Sequence, residues 1–434
     1  MTNPNRLRIG LLGFGTVGQA FTRLVLKERG RLLRDHALDL EVVAIGNRRI
    51  DEKRAGWAGE GVRFTDDLAS VATDPGVDLV VELLGGLEPA RSLQTAALSA
   101  GKPVVTANKM LFAHHGEELA ALAREKGVSL GLEAAVAGGI PILRALRESF
   151  AADTLTSVSG ILNGTSNFIL TTMEATGRSY ADVLAEAQRL GYAEADPASD
   201  VEGNDAAYKL ALLARMAFGT SVPVSAVRCS GITHLLPCDF EYARMLERTP
   251  RQLAVARRVG VDGALALSVS THLVSQRSLL AKIEGPFNAV AVEGETGGTF
   301  VLSGRGAGGG PTATAVLSDV IEIARSGARP GVPPLGVHAF APFTAASPAA
   351  SVSAVALRFV VKDAPGIIAS ISRILAENEI NIDAVFQTRG EDKAALPFVV
   401  TLEPVAGDGL ARALEALAAL PFHQKPPVAF PLTD

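Results

Sequence analysis

Short apolar runs alternate with amphipathic segments along the first third of the chain. In the segments between the runs, for example 19–27 and 93–100, apolar residues recur near helical spacing. Strands that alternate with helices are typical of βαβ units around a parallel sheet. The predicted strands cover residues 7–12, 40–45, 79–83, 103–106 and 128–132. We therefore predict an α/β domain over residues 1–137.

After this domain, the predicted helices and strands no longer alternate regularly. Helices are predicted from Pro141, over NGTSNFILTTMEA and over 205–218, with strand-like runs at 264–270, 288–292 and 299–302. A second glycine loop, GRGAGGG, precedes a further helix from Thr312. We predict an α+β domain over 138–328, and we expect 306–328 to pack back on the first domain.

A proline-rich stretch, 329–350, has the composition of a linker. The last part of the chain, 351–434, reads as a small domain of its own. Its predicted order is strand 354–361, helix 366–378, strands 382–388 and 394–402, helix 409–420 and strand 428–430. This βαββαβ order is the ferredoxin-like arrangement.

Composition narrows the function. The 434 residues are 48% hydrophobic and 5% aromatic with a net charge of −5, which argues against nucleic acid and anionic membranes as partners. No apolar run is long enough to span a membrane. The apolar stretch after Arg8 carries regularly spaced glycines, so we interpret it as a strand and turn rather than a secretion signal. Two cysteines without zinc-binding spacing favour a reducing, cytoplasmic setting.

A glycine motif, GFGTVG, follows the first predicted strand and opens a helix. Glycines there permit a tight turn and let the backbone approach a pyrophosphate at the helix N-terminus. The motif comprises Gly13, Phe14, Gly15, Thr16, Val17 and Gly18. Arg48 and Arg49 follow the second strand, where an NAD-selective site usually has an acid. The arginines favour NADP, whose 2′-phosphate they would bind; NAD remains possible, and a solvated surface pair is the alternative.

A carbonyl-reducing enzyme needs a group that polarises the oxygen and supplies a proton. No tyrosine has a lysine four residues later, which excludes a Tyr-x-x-x-Lys pair. The segment GYAEADPASDVEGNDAAYK instead places Asp205 and Lys209 on one face of a helix, after several acids. A partly desolvated lysine beside a carboxylate can act as a general acid. An ordinary ion pair at a helix N-terminus is the alternative.

Seven motifs, in order and spacing, resemble the homoserine dehydrogenase family. They span about residues 7–325 and are GFGTVG, VELLGG (81–86), TANK (106–109), EAAVAGGIP (133–141), LNGTSNFIL (162–170), the acidic segment and GAGGGPTA (306–313). The tail resembles an ACT domain, an amino-acid-sensing module. The resemblance implies a Rossmann domain, a catalytic and dimerisation domain and an ACT domain. One departure is Ser230, where members often have glutamate.

The resemblance implies reversible, NAD(P)H-dependent reduction of L-aspartate 4-semialdehyde to L-homoserine, in threonine, methionine and isoleucine biosynthesis. Lys209 would donate the proton, and Asp205 would orient the Lys209 side chain. Glu194 would bind the substrate ammonium, and Lys109 would lie near cofactor and substrate. The dinucleotide would also contact Phe14, Thr16, Val17 and Gly308. A monovalent cation such as sodium would bind Glu133 and the carbonyls of Val136, Gly138 and Ile140.

The ACT resemblance implies an effector pocket at Asp363, Gly366 and Asn381, with L-threonine as the expected inhibitor. Such domains pair side by side, so we expect a homodimer or homotetramer; a domain that only strengthens a dimer is the alternative. Two other functions stay open. One is another NAD(P)-dependent amino-acid dehydrogenase, and the other is a non-catalytic nucleotide and amino-acid sensor.

Overall fold

The computed structural model describes residues 5–49, 61–260, 262–326, 340–388 and 392–434. The chain forms two compact units. The first comprises Met1–Val158, Tyr208–Ser225 and Asn288–Pro342, and the second comprises Ser159–Ala207, Ala226–Phe287 and Phe343–Asp434. Of the predicted linker, 329–339 lies outside the described residues. Its described part is hydrogen-bonded: Ala341 pairs with Thr220 in the first unit, and Ala345 pairs with Leu265 in the second.

The described strands, in chain order, are β1 (Asn5–Leu12), β2 (Leu38–Gly46), β3 (Arg63–Thr65), β4 (Leu79–Glu82), β5 (Val104–Thr106), β6 (Leu130–Gly131), β7 (Leu155–Ile161), β8 (Arg228–Cys229), β9 (Arg248–Val259), β10 (Ala264–Ser275), β11 (Phe287–Gly294), β12 (Gly298–Arg305), β13 (Val352–Val361), β14 (Ile382–Phe386), β15 (Leu396–Ala406) and β16 (His423–Thr433).

The described α-helices are α1 (Thr16–His36), α2 (Leu68–Ala72), α3 (Ala90–Ser99), α4 (Lys109–Lys126), α5 (Ile142–Arg147), α6 (Gly164–Thr176), α7 (Tyr180–Arg189), α8 (Ala198–Val201), α9 (Asn204–Phe218), α10 (Pro237–Met245), α11 (Gly309–Ser326), α12 (Ile367–Glu377) and α13 (Gly407–Ala418). Short 3-10 helices span Glu133–Ala135, Phe150–Ala152, Val224–Ala226, Leu280–Lys282 and Pro348–Ala350. Within the described ranges, no helix is long and apolar enough to cross a membrane.

A parallel sheet of order β3-β2-β1-β4-β5-β6 forms the first unit's centre, which confirms the predicted Rossmann-like α/β class. The strands are apolar because helices cover the sheet. One core joins Ile9 and Val81 of the sheet to Phe21 of α1 and to Val316 and Val320 of α11. Helix α11, which follows the second glycine loop, therefore packs against the dinucleotide-binding fold within this unit.

A long antiparallel hairpin, β9–β10, organises the second unit. Parallel pairing of Leu273 with Leu432 and of Val274 with Thr433 connects β10 to β16. From β16 the sheet continues through β13, β15 and β14, all antiparallel, with α12 and α13 in the two crossovers. This order is the predicted ferredoxin-like arrangement. The C-terminal module is thus joined by sheet pairing to the hairpin.

Strand β9 is an element that the sequence pattern does not reveal. It contains several arginines, which break the apolar run expected of a buried strand. Arg251 is nevertheless buried, because its guanidinium binds the carboxylate of Glu174 at 2.8 Å and the carbonyl oxygen of Ala281 at 2.9 Å. Burial of a charged strand residue here depends on partners far away in the sequence.

Candidate active site

The glycines of the turn at the end of β1 serve two purposes: some are required by close packing, and one leaves room for a ligand. A Cβ atom on Gly13, whose φ is +100°, would lie 2.6 Å from the carbonyl oxygen of Leu83, and a Cβ on Gly18 would collide with the carbonyl of Gly13. Both glycines are therefore required by the protein's own packing. At Gly15, by contrast, none of the described residues lies within 4 Å of where a Cβ atom would stand. This absence of protein neighbours leaves room for a ligand to approach the backbone at the start of α1.

An open cleft lies in front of this turn in the first unit. Its lining includes Gly13 and Gly15 after β1, Arg48 and Arg49 after β2, and Leu83 after β4. These residues meet because the carboxyl ends of neighbouring parallel strands lie at one edge of the sheet. Both arginines are exposed. The cleft thus brings the predicted cofactor-binding glycines and arginines together.

Phe14, Thr16 and Val17 differ in how they face this cleft. The Phe14 side chain is buried and packs edge to face on Phe64, with ring centroids 5.8 Å apart, so this side chain does not face the cleft as a ligand contact. Thr16 is exposed and Val17 is half-buried.

Three polar residues that the sequence analysis did not select hold the loops around the cleft. The Asn47 side chain accepts the Phe14 N–H at 3.1 Å. Glu82 is buried, and one carboxylate oxygen accepts the Leu84 N–H at 2.6 Å while the other binds Gln94 at 2.6 Å and Thr106 at 2.8 Å. Asn108 caps α4 and donates to the carbonyl of Gly86 at 2.7 Å. These bonds preorganise the loops.

The second glycine loop lies against the first turn of α1. A Cβ on Gly309 would be 3.2 Å from the Thr16 methyl group and 3.3 Å from the Ala20 Cβ. Its neighbour Gly308 has a φ of +108°, which favours glycine. The loop also contacts the turn that contains Gly138, since a Cβ there would collide with the carbonyl of Gly306.

Glu133, the predicted cation ligand, is the buried first residue of the 3-10 helix that precedes α5. Its two oxygens accept the backbone N–H groups of Leu143 and Arg144, both at 2.8 Å, and Asp319 of α11 accepts the Glu133 N–H at 2.9 Å. Burial, followed by the charge of Glu133, raises the pKa of Asp319 to about 7. Burial also raises the pKa of Glu133.

The residues around Glu133 fit a cation. Two acids are buried together there, and each Glu133 oxygen keeps a lone pair after accepting one N–H. Val136, Gly138 and Ile140, whose carbonyls were predicted as ligands, are buried in the adjoining turn. Two positive groups lie nearby: Arg144, 3.7 Å from Asp319, and Arg147, which lines the same cavity as Glu133 and Asp319; both arginines also bind Glu322.

The acidic segment of the second unit is bound to the first turn of α6. Asn163 Nδ2 donates to Asp200 at 2.7 Å and to Asp205 at 2.8 Å. Thr165 donates to the Tyr192 carbonyl at 2.7 Å, and Ser166 donates to the Asp200 carbonyl at 2.9 Å. Asp200 and Asp205 therefore share one amide. The sequence analysis does not select Asn163, because its partners are distant along the chain.

The predicted catalytic pair lies on α9. Asp205 and Lys209 are four residues apart on this helix, which places them on one face, and they are 4% and 7% exposed. Glu194 is exposed in the loop that follows α7, and Lys109 is the half-buried first residue of α4. Ser230 is exposed, and its N–H donates to the Val269 carbonyl at 2.8 Å.

The predicted effector residues lie on the surface of the C-terminal module. Gly366 has a φ of +90° and precedes α12, and Asp363 forms an ion pair with Lys393 at 3.5 Å. Asn381 donates to Glu403 at 3.1 Å.

The sheet, the glycine turn and the cleft define the class, a dinucleotide-binding α/β protein with a second, mixed α+β unit. Comparisons with known proteins give the family. Residues 13–133 match the model of the homoserine dehydrogenase NAD binding domain, residues 141–321 match that of homoserine dehydrogenase, and residues 355–422 match that of the ACT domain.

Relatives match almost end to end. The homoserine dehydrogenase of Pseudomonas aeruginosa is 40% identical over 95% of this chain and 96% of its own, and that of Corynebacterium glutamicum is 42% identical over 95% and 92%. The crystal structure of a homoserine dehydrogenase from Thiobacillus denitrificans has a TM-score of 0.90 and 38% identity over 99% of this chain and 98% of its own. The chain belongs to the homoserine dehydrogenase family, and it is an oxidoreductase with a C-terminal ACT domain.

Proposed function

We propose that this chain catalyses the reversible reduction of L-aspartate 4-semialdehyde to L-homoserine, in the biosynthesis of threonine, methionine and isoleucine. The observation that carries the proposal is helix α9, which presents Asp205 and Lys209 on one face directly after an acidic segment. Membership of the homoserine dehydrogenase family supports the substrate. Another amino-acid substrate is the alternative.

Each residue then has a chemical task. A bound NAD(P)H supplies the hydride to the aldehyde carbon. Lys209 donates a proton to the carbonyl oxygen, which becomes the hydroxyl group, and Asp205 orients the lysine ammonium. Glu194 binds the substrate ammonium. Lys109 lies near cofactor and substrate, and it can bind the substrate carboxylate because the charges are opposite.

We assign cofactor preference to NADP. Arg48 and Arg49 line the cleft at the end of β2, where a ribose 2′-phosphate would lie. A hyperthermophilic archaeal homoserine dehydrogenase of known structure, 26% identical with a TM-score of 0.64, was solved in complex with NADPH. NAD would bind without using either guanidinium. The ratio of the NADP-dependent to the NAD-dependent activity therefore tests this assignment.

We also assign a monovalent cation such as sodium to Glu133 and the carbonyls of Val136, Gly138 and Ile140. The buried acids at this position support it. The test is thermal stability in sodium chloride against tetramethylammonium chloride. Sodium should raise the melting temperature of the wild type and not that of Glu133→Gln; equal effects on both proteins would contradict the assignment.

The ACT domain indicates regulation by an amino acid, and we assign L-threonine, bound around Asp363, Gly366 and Asn381. Paired ACT domains would make the protein a homodimer or homotetramer. A cytoplasmic location agrees with the two cysteines, neither of which forms a disulfide.

Initial rates with the purified full chain test the proposal. NADP⁺ reduction should depend on L-homoserine, exceed NAD⁺ reduction and fall when L-threonine is added. A rate that threonine does not change would overturn the effector assignment alone. No rate with either cofactor would overturn the proposed reaction.

A further inference from the structure

Asn163 connects three parts of the second unit through one side chain. Its Oδ1 accepts the Ser166 N–H at 2.8 Å, which caps α6. Its Nδ2 uses both hydrogens, one toward Asp200 and one toward Asp205. The amide orientation is therefore fixed, because a flipped amide would present its oxygen to two carboxylates and its N–H groups to a backbone donor.

These bonds place a buried neutral donor between two acids. Asn163 is 5% exposed and Asp205 is 4% exposed, so water is largely excluded from the contact. A carboxylate in such a place needs hydrogen-bond donors to remain ionised. Asn163 supplies one to each acid, and it holds Asp205 in a fixed rotamer on the first turn of α9.

Thr165 and Ser166 show that the whole first turn of α6 serves this segment. They bind the carbonyls of Tyr192 and Asp200, on either side of the loop that carries Asp196. A residue that only capped the N-terminus of a helix would not need its side-chain amide NH2 to reach residues 37 and 42 positions away.

We propose that Asn163 is a positioning residue for the reaction: it keeps the Asp205 carboxylate ionised and aimed along α9, so that Asp205 can orient Lys209. This inference rests on the proposed function, in which Lys209 is the proton donor. It predicts that the donor hydrogens of Asn163, rather than its capping oxygen, matter for turnover.

Asn163→Asp separates the two roles. Aspartate is as good an N-cap as asparagine, so the bond from Ser166 remains, but an ionised carboxylate donates nothing. It also places a third carboxylate beside Asp200 and Asp205, where like charges repel one another. We expect kcat to fall by about 10- to 100-fold, the range for a misplaced catalytic group. The acid limb of the kcat profile should move to higher pH.

Two further variants complete the test. Asn163→Ala should show the same kinetic loss, because it also lacks the donors, and should lose the cap as well. Ser179→Ala removes the matched cap of α7, which binds the Asp182 N–H, and should lower the melting temperature without changing kcat or the pH profile.

The outcomes distinguish this inference from the proposed function. If Asn163→Asp keeps the wild-type kcat and pH profile, Asn163 is only a helix cap and the inference is overturned. If the wild type does not oxidise L-homoserine, or if Lys209→Ala is fully active, the proposed function itself fails and the inference fails with it. A kinetic loss in Asn163→Ala alone would also contradict it, since the capping oxygen would then be responsible.

Discussion

Two buried aspartates, one in each unit, are held in opposite ways. Asp239 of α10 binds Arg358 of β13 at 3.0 Å, with the two side chains 0% and 1% exposed, and its other oxygen accepts the Leu236 N–H at 2.8 Å. Asp319 of α11 has the buried carboxylate Glu133 as its neighbour, and the nearest guanidinium, that of Arg144, lies 3.7 Å away and is 30% exposed.

The difference shows what each region is built for. The Asp239–Arg358 pair is complete, and Arg358 also donates to the His234 carbonyl at 3.1 Å, so the pair fastens the ACT module to α10. Tyr242 adds a bond to the Pro397 carbonyl at 2.8 Å. Asp319 and Glu133 instead concentrate negative charge that the neighbouring groups only partly offset. The first arrangement holds segments together, whereas the second suits a bound cation.

The largest effect should come from breaking the complete pair. Asp239→Asn leaves the buried Arg358 without its counter-charge, so the free energy of unfolding should fall by about 3–5 kcal/mol. Urea denaturation followed by circular dichroism measures it. The double variant Asp239→Leu/Arg358→Leu should lose less free energy of unfolding than Asp239→Leu and Arg358→Leu lose in sum. The reason is that no unpaired charge remains in the double variant. Additive losses would show that the two side chains do not act as a pair.

Acid should weaken the same unit through His272. This imidazole is buried, shares a 2.8 Å hydrogen bond with Thr433 of the last strand, and has a pKa that burial and then Arg257 lower from 6.5 to about 4. The unfolded chain therefore binds the proton more readily than the folded one. Stability is complete above pH 6.5 and falls between pH 6.5 and about 4, by roughly 3 kcal/mol in total.

His272→Asn keeps a polar partner for Thr433 and cannot titrate in this range. The free energy of unfolding of the variant should therefore depend less steeply on pH between 6.5 and 4 than that of the wild type. Parallel curves for the two proteins would remove His272 as the cause.

Asp319→Asn should change the free energy of unfolding least, and any change should be opposite in sign to that of Asp239→Asn. The new amide oxygen can still accept the Glu133 N–H, while one of two adjacent buried charges disappears. Without added sodium, we expect the free energy of unfolding at pH 7.5 to stay the same or to rise by about 1 kcal/mol. A loss of unfolding free energy as large as that of Asp239→Asn would show that Asp319, like Asp239, holds its segment in place.

The cofactor half of the molecule was accessible to prediction because its signals are local. Gly13, Gly15 and Gly18 stand within one turn, and the strand before and the helix after them are visible as patterns. The C-terminal module was predicted for the same reason. Its element order follows from short, regular periodicities.

The remaining features depend on distant partners. Asn163 reaches residues 37 and 42 positions away, and Arg358 reaches one 119 positions away. A pattern of spacing cannot show these contacts. The donor role of Asn163 appears only when Asp200 and Asp205 fold onto it. Strand β9 stayed hidden because its arginines are buried by residues from other segments.

Lys209→Ala shows whether α9 carries the proton donor. The turnover number for L-homoserine oxidation should fall by about 100-fold or more, while NADPH binding, followed by its fluorescence, should remain. Lys126→Ala, at the exposed end of α4, is the matched control and should behave as the wild type. Near-normal turnover of Lys209→Ala would mean that the proton comes from another group and that Lys209 is not the donor.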